Sequence, residues 1–276
     1  MIDAGRFERL RVTTSADGHV VRLAFDHGKA NEMGAAELDE LDRLVDVVAT
    51  DPDARALVST SRRTSARGTP IFVAGANVTE RIGWDEDRVL AHVARQRSTL
   101  ARIRDLPVLH VVVVGGVAFG WGCEWLLAAD YRIAAPGASF ALPETGLGIV
   151  PGAGGTAWLA ADIGLGHALR LGMTGEAVGE VEALRIGLVH ELAADLDAGL
   201  TRAEALAARV ATRSPTAVAA FKAAALAARG LSGPAREAEE QAAYLLCVRS
   251  GEAAIGRARF AAAADGGPAW GPRRVR

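Results

Sequence analysis

The run VLHVVVV at 108–114 is apolar except for one histidine, and glycines follow it between 115 and 122. A continuous apolar run of this length, bounded by turn residues, is typical of a strand buried inside a sheet. It is too short and too close to glycine to cross a bilayer, which takes about 20 apolar residues. The chain must therefore build a core around this strand, with a glycine turn and a helix directly after it.

Strands and helices alternate around this run. Apolar spacing predicts strands at 7–14, 19–25, 54–61, 71–78, 131–135 and 139–142. It predicts helices at 35–49, 85–105, 156–172, 176–187, 201–212, 214–229 and 234–262. The simplest organisation is an α/β core followed by a helical C-terminal region. We expect residues 265–276 to form a loose tail.

Charge and cysteine content exclude several classes of protein. The 276 residues carry a net charge of −2, which predicts neither a nucleic-acid nor a membrane partner. The segment MIDAGRFERLRV lacks an apolar core, so we expect no signal peptide. Cys123 and Cys247 are too few for a disulfide framework, and this favours a reducing cytoplasm.

The remaining motif search also narrows the chemistry. The six histidines show no metal-ligand spacing, and His190-Glu191 is followed by Ala194 rather than a second zinc-binding histidine. We therefore expect no metal site. The serine-hydrolase motif GxSxG is absent, and the glycine strings match neither the dinucleotide fingerprint nor the P-loop.

Two glutamates each stand beside a glycine-rich turn. Glu124 lies in FGWGCEW (119–125) and Glu144 in ALPETGLGIVPGAGGT (141–156). Paired carboxylates can act as general base and general acid, and free N–H groups at glycine turns can hold a developing oxyanion. Each residue also has a simpler interpretation, as charge at a helix start for Glu124 and as a helix cap for Glu144. We interpret Cys123 as a packed thiol rather than a nucleophile.

The order of these motifs resembles the crotonase (enoyl-CoA hydratase/isomerase) superfamily, from about Val20 to Trp270. The matching segments are HGKANEM (27–33), IFVAGANV (71–78), SFALPETGLGIVPGAGGTAWL (139–159) and LGMTGEAVGEVEALRIGLVHEL (171–192). The resemblance implies an α/β fold with a spiral core of repeated ββα units at 1–200. It also implies a helical trimerisation region at 201–276, in a homotrimer or hexamer.

The resemblance further implies roles for individual residues. The amides of Ala76 and Trp121 match the two oxyanion donors, and Glu124 and Glu144 match the two catalytic glutamates. The substrate's coenzyme A is expected against Lys29, Ala30, Ala74, Ala76, Asn77 and Val78. No separate cofactor is implied, because coenzyme A enters as part of the substrate thioester.

Both glutamates together favour a hydratase, which adds or removes water across the 2,3 double bond of an acyl-CoA. By resemblance, Glu124 deprotonates the attacking water, Glu144 protonates C2, and the two amides stabilise the enolate. The alternatives are an enoyl-CoA isomerase that uses one glutamate, a non-catalytic subunit that binds an acyl thioester for a partner enzyme, and a thioester hydrolase.

Three positions depart from the family pattern. Trp121 replaces a glycine, Asn77 replaces an aspartate two residues before Thr79 at a commonly basic position, and alanines at 261–264 replace basic residues. The lost basic residues predict that the 3′-phosphate of coenzyme A contributes little to binding. We expect Trp121 to keep a negative φ, with its indole in the acyl pocket or at a subunit contact.

Overall fold

The computed structural model describes residues 5, 7–261 and 270–273. The strands are β1 (Leu10–Thr14), β2 (Val20–Phe25), β3 (Ala56–Ser61), β4 (Arg63–Thr64), β5 (Pro70–Val73), β6 (Leu109–Val114), β7 (Val117–Phe119), β8 (Tyr131–Ala134), β9 (Ser139–Ala141), β10 (Val178–Gly179) and β11 (Glu191–Leu192). The α-helices are α1 (Ala35–Thr50), α2 (Glu86–Arg104), α3 (Trp121–Ala128), α4 (Gly155–Ile163), α5 (Leu165–Thr174), α6 (Glu180–Arg185), α7 (Leu196–Ala211), α8 (Pro215–Ala227), α9 (Gly233–Arg249) and α10 (Glu252–Ala261).

These strands form two sheets. The first has the order β1-β2-β3-β6-β8-β11, and the second has the order β10-β9-β7-β5-β4. The hairpin β1–β2 is antiparallel, whereas β2, β3, β6 and β8 pair in parallel. The α/β core with a helical C-terminal region is therefore confirmed.

Strand β6 lies inside the first sheet and is covered on both faces. Val111 and Val113 pack with Ala203 and Ala207 of α7. Val112 and Val114 point to the opposite, larger core. Burial on both faces explains why this strand is continuously apolar instead of alternating.

Helix α3 is also surrounded by protein, since all eight of its residues are buried. Trp125 packs edge-on against Phe25 at 5.0 Å between ring centroids, and its indole N–H donates to Ser59 Oγ at 3.0 Å. His110 of β6 shares that hydroxyl, with 2.8 Å between Nε2 and Oγ. Burial lowers the pKa of His110 to about 3, as expected for a packed, neutral imidazole.

Glycines divide two helices that the sequence predicted as continuous. Gly164, with φ 80°, separates α4 from α5, and Gly251, with φ 84°, separates α9 from α10. A left-handed glycine ends a helix because it turns the chain out of the helical path. The predicted helix at 176–187 is also wrong in its extent, because β10 occupies its start and α6 is short.

The described part of the C-terminal tail, residues 270–273, is held against the core. The Trp270 indole donates to the Thr212 carbonyl at 3.0 Å. Arg273 is buried and donates to the carbonyls of Val48, Ala49 and Asp51. These four residues are therefore not loose as predicted, while 262–269 and 274–276 lie outside the described residues. None of the described helices is long and apolar enough to cross a membrane.

Candidate active site

A glycine turn delivers the chain into α3. Gly120 has φ 50°, whereas Trp121, the first residue of the helix, keeps a negative φ as predicted. Gly122 lets the helix approach β5, since a Cβ there would lie 2.3 Å from the Val73 carbonyl oxygen. Among the described residues, no hydrogen bond uses the amide of Trp121. Its N–H is therefore available to a ligand.

A second free amide belongs to Ala76, in the loop after β5. The turn at 27–33 fixes this loop through three backbone hydrogen bonds. Ala74 donates to Ala30 at 3.0 Å, Met33 donates to Gly75 at 2.9 Å, and Asn77 donates to Met33 at 2.8 Å. No hydrogen bond within the described chain uses the Ala76 amide. The loop thus holds this N–H in place without a backbone partner.

Asn31, which sequence reasoning missed, holds the turn at 27–33. It is fully buried, and it is the one non-glycine residue with positive φ (55°) in the described structure. Its amide donates to Phe72 O at 2.7 Å and to Ser61 Oγ at 3.0 Å, and its Oδ1 accepts the His27 N–H at 2.9 Å. These bonds offset the strain of a left-handed conformation, which asparagine tolerates better than most residues. An asparagine in the turn between β2 and α1 was the available signal.

Glu124, on the first turn of α3, is only 3% exposed. Its Oε1 accepts the N–H groups of Ala153 at 2.7 Å and Gly155 at 2.9 Å. Burial raises the pKa of this carboxyl, while the two amides and the charges of Arg97 and Arg81 oppose the rise. Its surroundings therefore contain several groups that favour the charged form.

Glu144 lies in a short 3-10 turn, Pro143–Leu147, and is half-buried. Its Oε2 is buried and has no hydrogen-bond partner among the described residues. Burial raises the pKa of Glu144 to about 7, and the neighbouring charge of Glu124 raises it further. A Cβ on Gly120 would lie 2.6 Å from Glu144 Oε1, so glycine is required where the turn passes this carboxyl.

One cavity of about 780 Å³ brings these groups together. The predicted site residues that line it are Ala74, Ala76, Val78, Trp121, Glu124 and Glu144. Lys29, Ala30 and Asn77 do not line it. Lys29 is exposed, and Ala30 contributes its carbonyl to the loop contact described above. The roles predicted for these three residues stay predictions.

The cavity wall is mostly apolar. Val89, Leu90 and Val93 of α2 contribute to it, and so do Leu147, Ile149 and Val150 from the segment after Glu144. The Trp121 indole is buried against Trp125, with 5.6 Å between ring centroids. A smaller polar group, formed by Arg81, Gln96 and Arg97, also lines the cavity and was not identified from the sequence.

Other reactive groups are accounted for by packing. The Cys123 thiol is buried, donates to the Ala118 carbonyl at 2.9 Å and has a raised pKa because of its burial, so it is not a thiolate. Among the described residues, no three metal-binding side chains are placed to hold an ion. A larger cavity, about 990 Å³, lies beside α8 and contains neither glutamate. Its charged side chains include Lys222, which is already paired with Asp130 at 2.7 Å.

Comparison with known proteins agrees with this geometry. Residues 16–261 match the family model described as enoyl-CoA hydratase/isomerase. The Bacillus subtilis protein YngF, whose name assigns it to the same class, is 39% identical over 189 residues, which is 68% of this chain and 70% of that protein.

Solved structures show the same fold. An enoyl-CoA hydratase from Bacillus anthracis superposes with a TM-score of 0.86 at 30% identity, covering 95% of this chain and 99% of the other. Pseudomonas aeruginosa DspI superposes with a TM-score of 0.86 at 31% identity, covering 98% of this chain and 100% of the other.

Proposed function

The chain belongs to the enoyl-CoA hydratase/isomerase family, and we propose that it catalyses the reversible syn addition of water to a 2-enoyl-CoA thioester. The carrying observation is that two carboxyl groups line one cavity in contrasting surroundings. Groups whose environments favour different protonation states can divide the work of base and acid. An isomerase, by contrast, needs only one proton-shuttling group.

Glu124 is proposed as the base. Its Oε1 is occupied by the amides of Ala153 and Gly155, so Oε2 is the oxygen left to accept a proton from water. Arg97 and Arg81 favour its charged form. As the water oxygen bonds to C3, its proton passes to Glu124, and the electron pair of the 2,3 double bond moves toward the thioester carbonyl.

Glu144 is proposed as the acid. A pKa of about 7 leaves a substantial protonated fraction at neutral pH. The resulting enolate takes this proton at C2, so that one molecule of water has been added across the double bond. Proton exchange with solvent then resets both carboxyls.

The enolate oxygen would be held by the amides of Ala76 and Trp121. Both lie at the cavity, and neither has a partner among the described residues. A fixed amide aimed at developing charge typically contributes about 10²–10³-fold to the rate. The hydrogen bonds around Asn31 would keep the Ala76 donor in position.

We also propose that further copies of the chain cover its C-terminal helices, as a homotrimer or hexamer. In the described chain, none of the 17 residues of α9 is buried, and Phe221, Tyr244 and Phe260 are largely exposed. Apolar side chains exposed on this scale are typical of an interface. Light scattering of the purified protein tests this, and a monomer at micromolar concentration would contradict it.

The activity is tested with short, long and aryl 2-enoyl-CoAs, followed as loss of the conjugated thioester and gain of the 3-hydroxyacyl product. Glu124→Gln serves as the control for a contaminating enzyme. Conversion of a 3-enoyl-CoA without water addition would indicate an isomerase, and release of free coenzyme A a thioester hydrolase. Binding without turnover of any substrate would indicate the non-catalytic subunit. The same assay with 3′-dephospho-CoA thioesters tests the small contribution predicted for that phosphate.

A further inference from the structure

We propose that the cavity accepts a 2-enoyl thioester whose acyl chain ends in a carboxylate, and that Arg81, Gln96 and Arg97 bind this carboxylate. The inference rests on the proposed function and adds the class of acyl group. It is carried by the placement, the missing partners and the charge of these three side chains.

The three side chains come together from two elements. Arg81 ends the 3-10 turn Val78–Arg81, which follows the Ala76 loop, whereas Gln96 and Arg97 are neighbours on α2. Arg81 Nη2 donates to Gln96 Oε1 at 3.2 Å, and Arg97 Nε donates to the Gly152 carbonyl at 2.9 Å. All three line the cavity that contains Glu124 and Glu144.

Buried donors in this cluster lack acceptors. Gln96 is 3% exposed, and its Nε2 has no partner among the described residues. The Nε of Arg81 is also buried without a partner. A buried donor left unpaired is unfavourable, and such groups are rare in folded proteins. Since both atoms are donors, the ligand that completes them must present acceptor oxygens.

Other arginines of α2 show how different this environment is. Arg95 pairs with Asp39 and Asp42, and Arg102 pairs with Asp42 and Asp46, all on α1. Arg81 and Arg97, in contrast, form none of the ion pairs found among the described residues. The arginines that face α1 are therefore neutralised, and those that face the cavity are not.

Neighbouring carboxylates do not neutralise the cluster. Glu80, next to Arg81, directs its Oε2 to the Ala35 amide at 3.2 Å and its Oε1 to His92 Nε2 at 3.4 Å. Burial and the charge of Arg81 lower the pKa of His92, so this imidazole is neutral and adds no charge. Glu124 is the remaining carboxylate, and one of its oxygens is occupied by amides. Two guanidinium groups thus face one partly engaged carboxylate, which leaves positive charge for a ligand.

A terminal carboxylate fits this surplus better than a phosphate of coenzyme A. Both are oxyanions that a guanidinium can bind through two parallel hydrogen bonds. Arg97 and Arg81 act electrostatically on Glu124, which locates them near the reacting carbons. The phosphates are separated from the thioester by the length of the pantetheine arm. The apolar side chains Val89, Leu90 and Val93 would cover the methylenes between the double bond and the carboxylate.

The test measures kcat/KM for acyl chains of equal length that end in a carboxylate or in its methyl ester. Each acyl group is supplied on coenzyme A and on pantetheine, which has no nucleotide phosphates. We expect the wild type to prefer the carboxylate about 10- to 100-fold on both carriers, the range of a charge-assisted hydrogen bond. In Arg81→Met this ratio should fall to about 1, and in Gln96→Leu it should fall several-fold. The matched control, Arg102→Met on the outer face of α2, should keep the wild-type ratio.

Three outcomes separate the inference from its alternatives. A wild-type ratio near 1, with the ester hydrated, overturns the inference and leaves the hydratase proposal intact. A loss in Arg81→Met that follows the coenzyme A carrier, whatever the acyl end, overturns it in favour of phosphate binding. If no enoyl thioester is hydrated, the proposed function fails. Calorimetry with saturated carboxylate and ester analogues then still decides whether Arg81 selects the carboxylate.

Discussion

Glu124 and Glu144 line the same cavity, but different parts of the chain surround them. Glu124 belongs to a fully buried helix, and two backbone amides from the segment before α4 fix its Oε1. Glu144 lies in a short, half-buried turn, and its Oε2 has no partner among the described residues. Arg97 and Arg81 act on Glu124, whereas the charge that acts on Glu144 is that of Glu124.

This difference shows how one cavity can favour two protonation states of the same side chain. Burial raises the pKa of both carboxyls, but only Glu124 is offered amide donors and cations that stabilise its charge. The proton is thus expected to reside on Glu144. Each of the following predictions alters one side of this contrast.

The largest expected effect is removal of either carboxyl. Glu124→Gln and Glu144→Gln should each lower kcat for hydration by about 10²–10⁴-fold, because each removes a proton-transfer group while keeping its shape. Steady-state kinetics on the best enoyl substrate measures this. Glu86→Gln, on the exposed first turn of α2, is the control and should be unaffected. Near wild-type turnover in either site variant would refute the division into base and acid.

A smaller effect is expected when each carboxyl is displaced but kept. A Cβ at residue 120 would lie 2.6 Å from Glu144 Oε1, and a Cβ at residue 155 would lie 3.0 Å from Glu124 Oε1. We expect Gly120→Ala to lower kcat about 10- to 100-fold and Gly155→Ala to lower it less, since small misplacements of catalytic groups are costly. Gly146→Ala is the control, because a Cβ there meets open space. A larger loss in Gly155→Ala would reverse the expected order.

The pH profile should report the acid side of the contrast. With its pKa raised to about 7, Glu144 holds its proton below that pH and loses it above. The kcat/KM of hydration should therefore fall above about pH 7, approaching tenfold per pH unit. In Glu144→Gln the residual activity should lack this decline. A wild-type profile that stays flat from pH 7 to 9 would exclude Glu144 as the acid.

The smallest expected effect is on stability. The folded state raises the pKa of Glu144 from 4.5 to about 7, so its ionisation destabilises the fold progressively as the pH rises between those values. At pH 8, Glu144→Gln should raise the free energy of unfolding by about 1–2 kcal/mol, after allowance for partial exposure to water. Near pH 4.5 the gain should vanish.

Glu124→Gln should stabilise less, because it also gives up amide and arginine contacts to a charged carboxylate. Urea unfolding at fixed protein concentration measures both variants, since an oligomer's stability depends on concentration. Destabilisation by Glu144→Gln at pH 8 would show that burial does not strain this carboxyl.

Local patterns in the sequence were sufficient for much of the fold. The apolar run at 108–114 identified β6, and Gly120 together with the negative φ of Trp121 was consistent with the start of α3. The breaks at Gly164 and Gly251 were not predicted, because a glycine can stay helical and nothing local distinguishes the two choices. The anchoring of Arg273 depends on carbonyls more than 200 residues away, which no local pattern reports.

The sequence by itself determined which residues can carry acid–base chemistry, because side-chain type and glycine turns are local properties. Tertiary structure decided what surrounds them. Ala153 and Gly155 reach Glu124 from 29 and 31 residues away, and α2 brings Gln96 against Arg81. A carboxyl's pKa depends on burial and on neighbouring charges, both of which exist only once distant segments have packed together. The two glutamates are alike in the sequence and become different only in the fold.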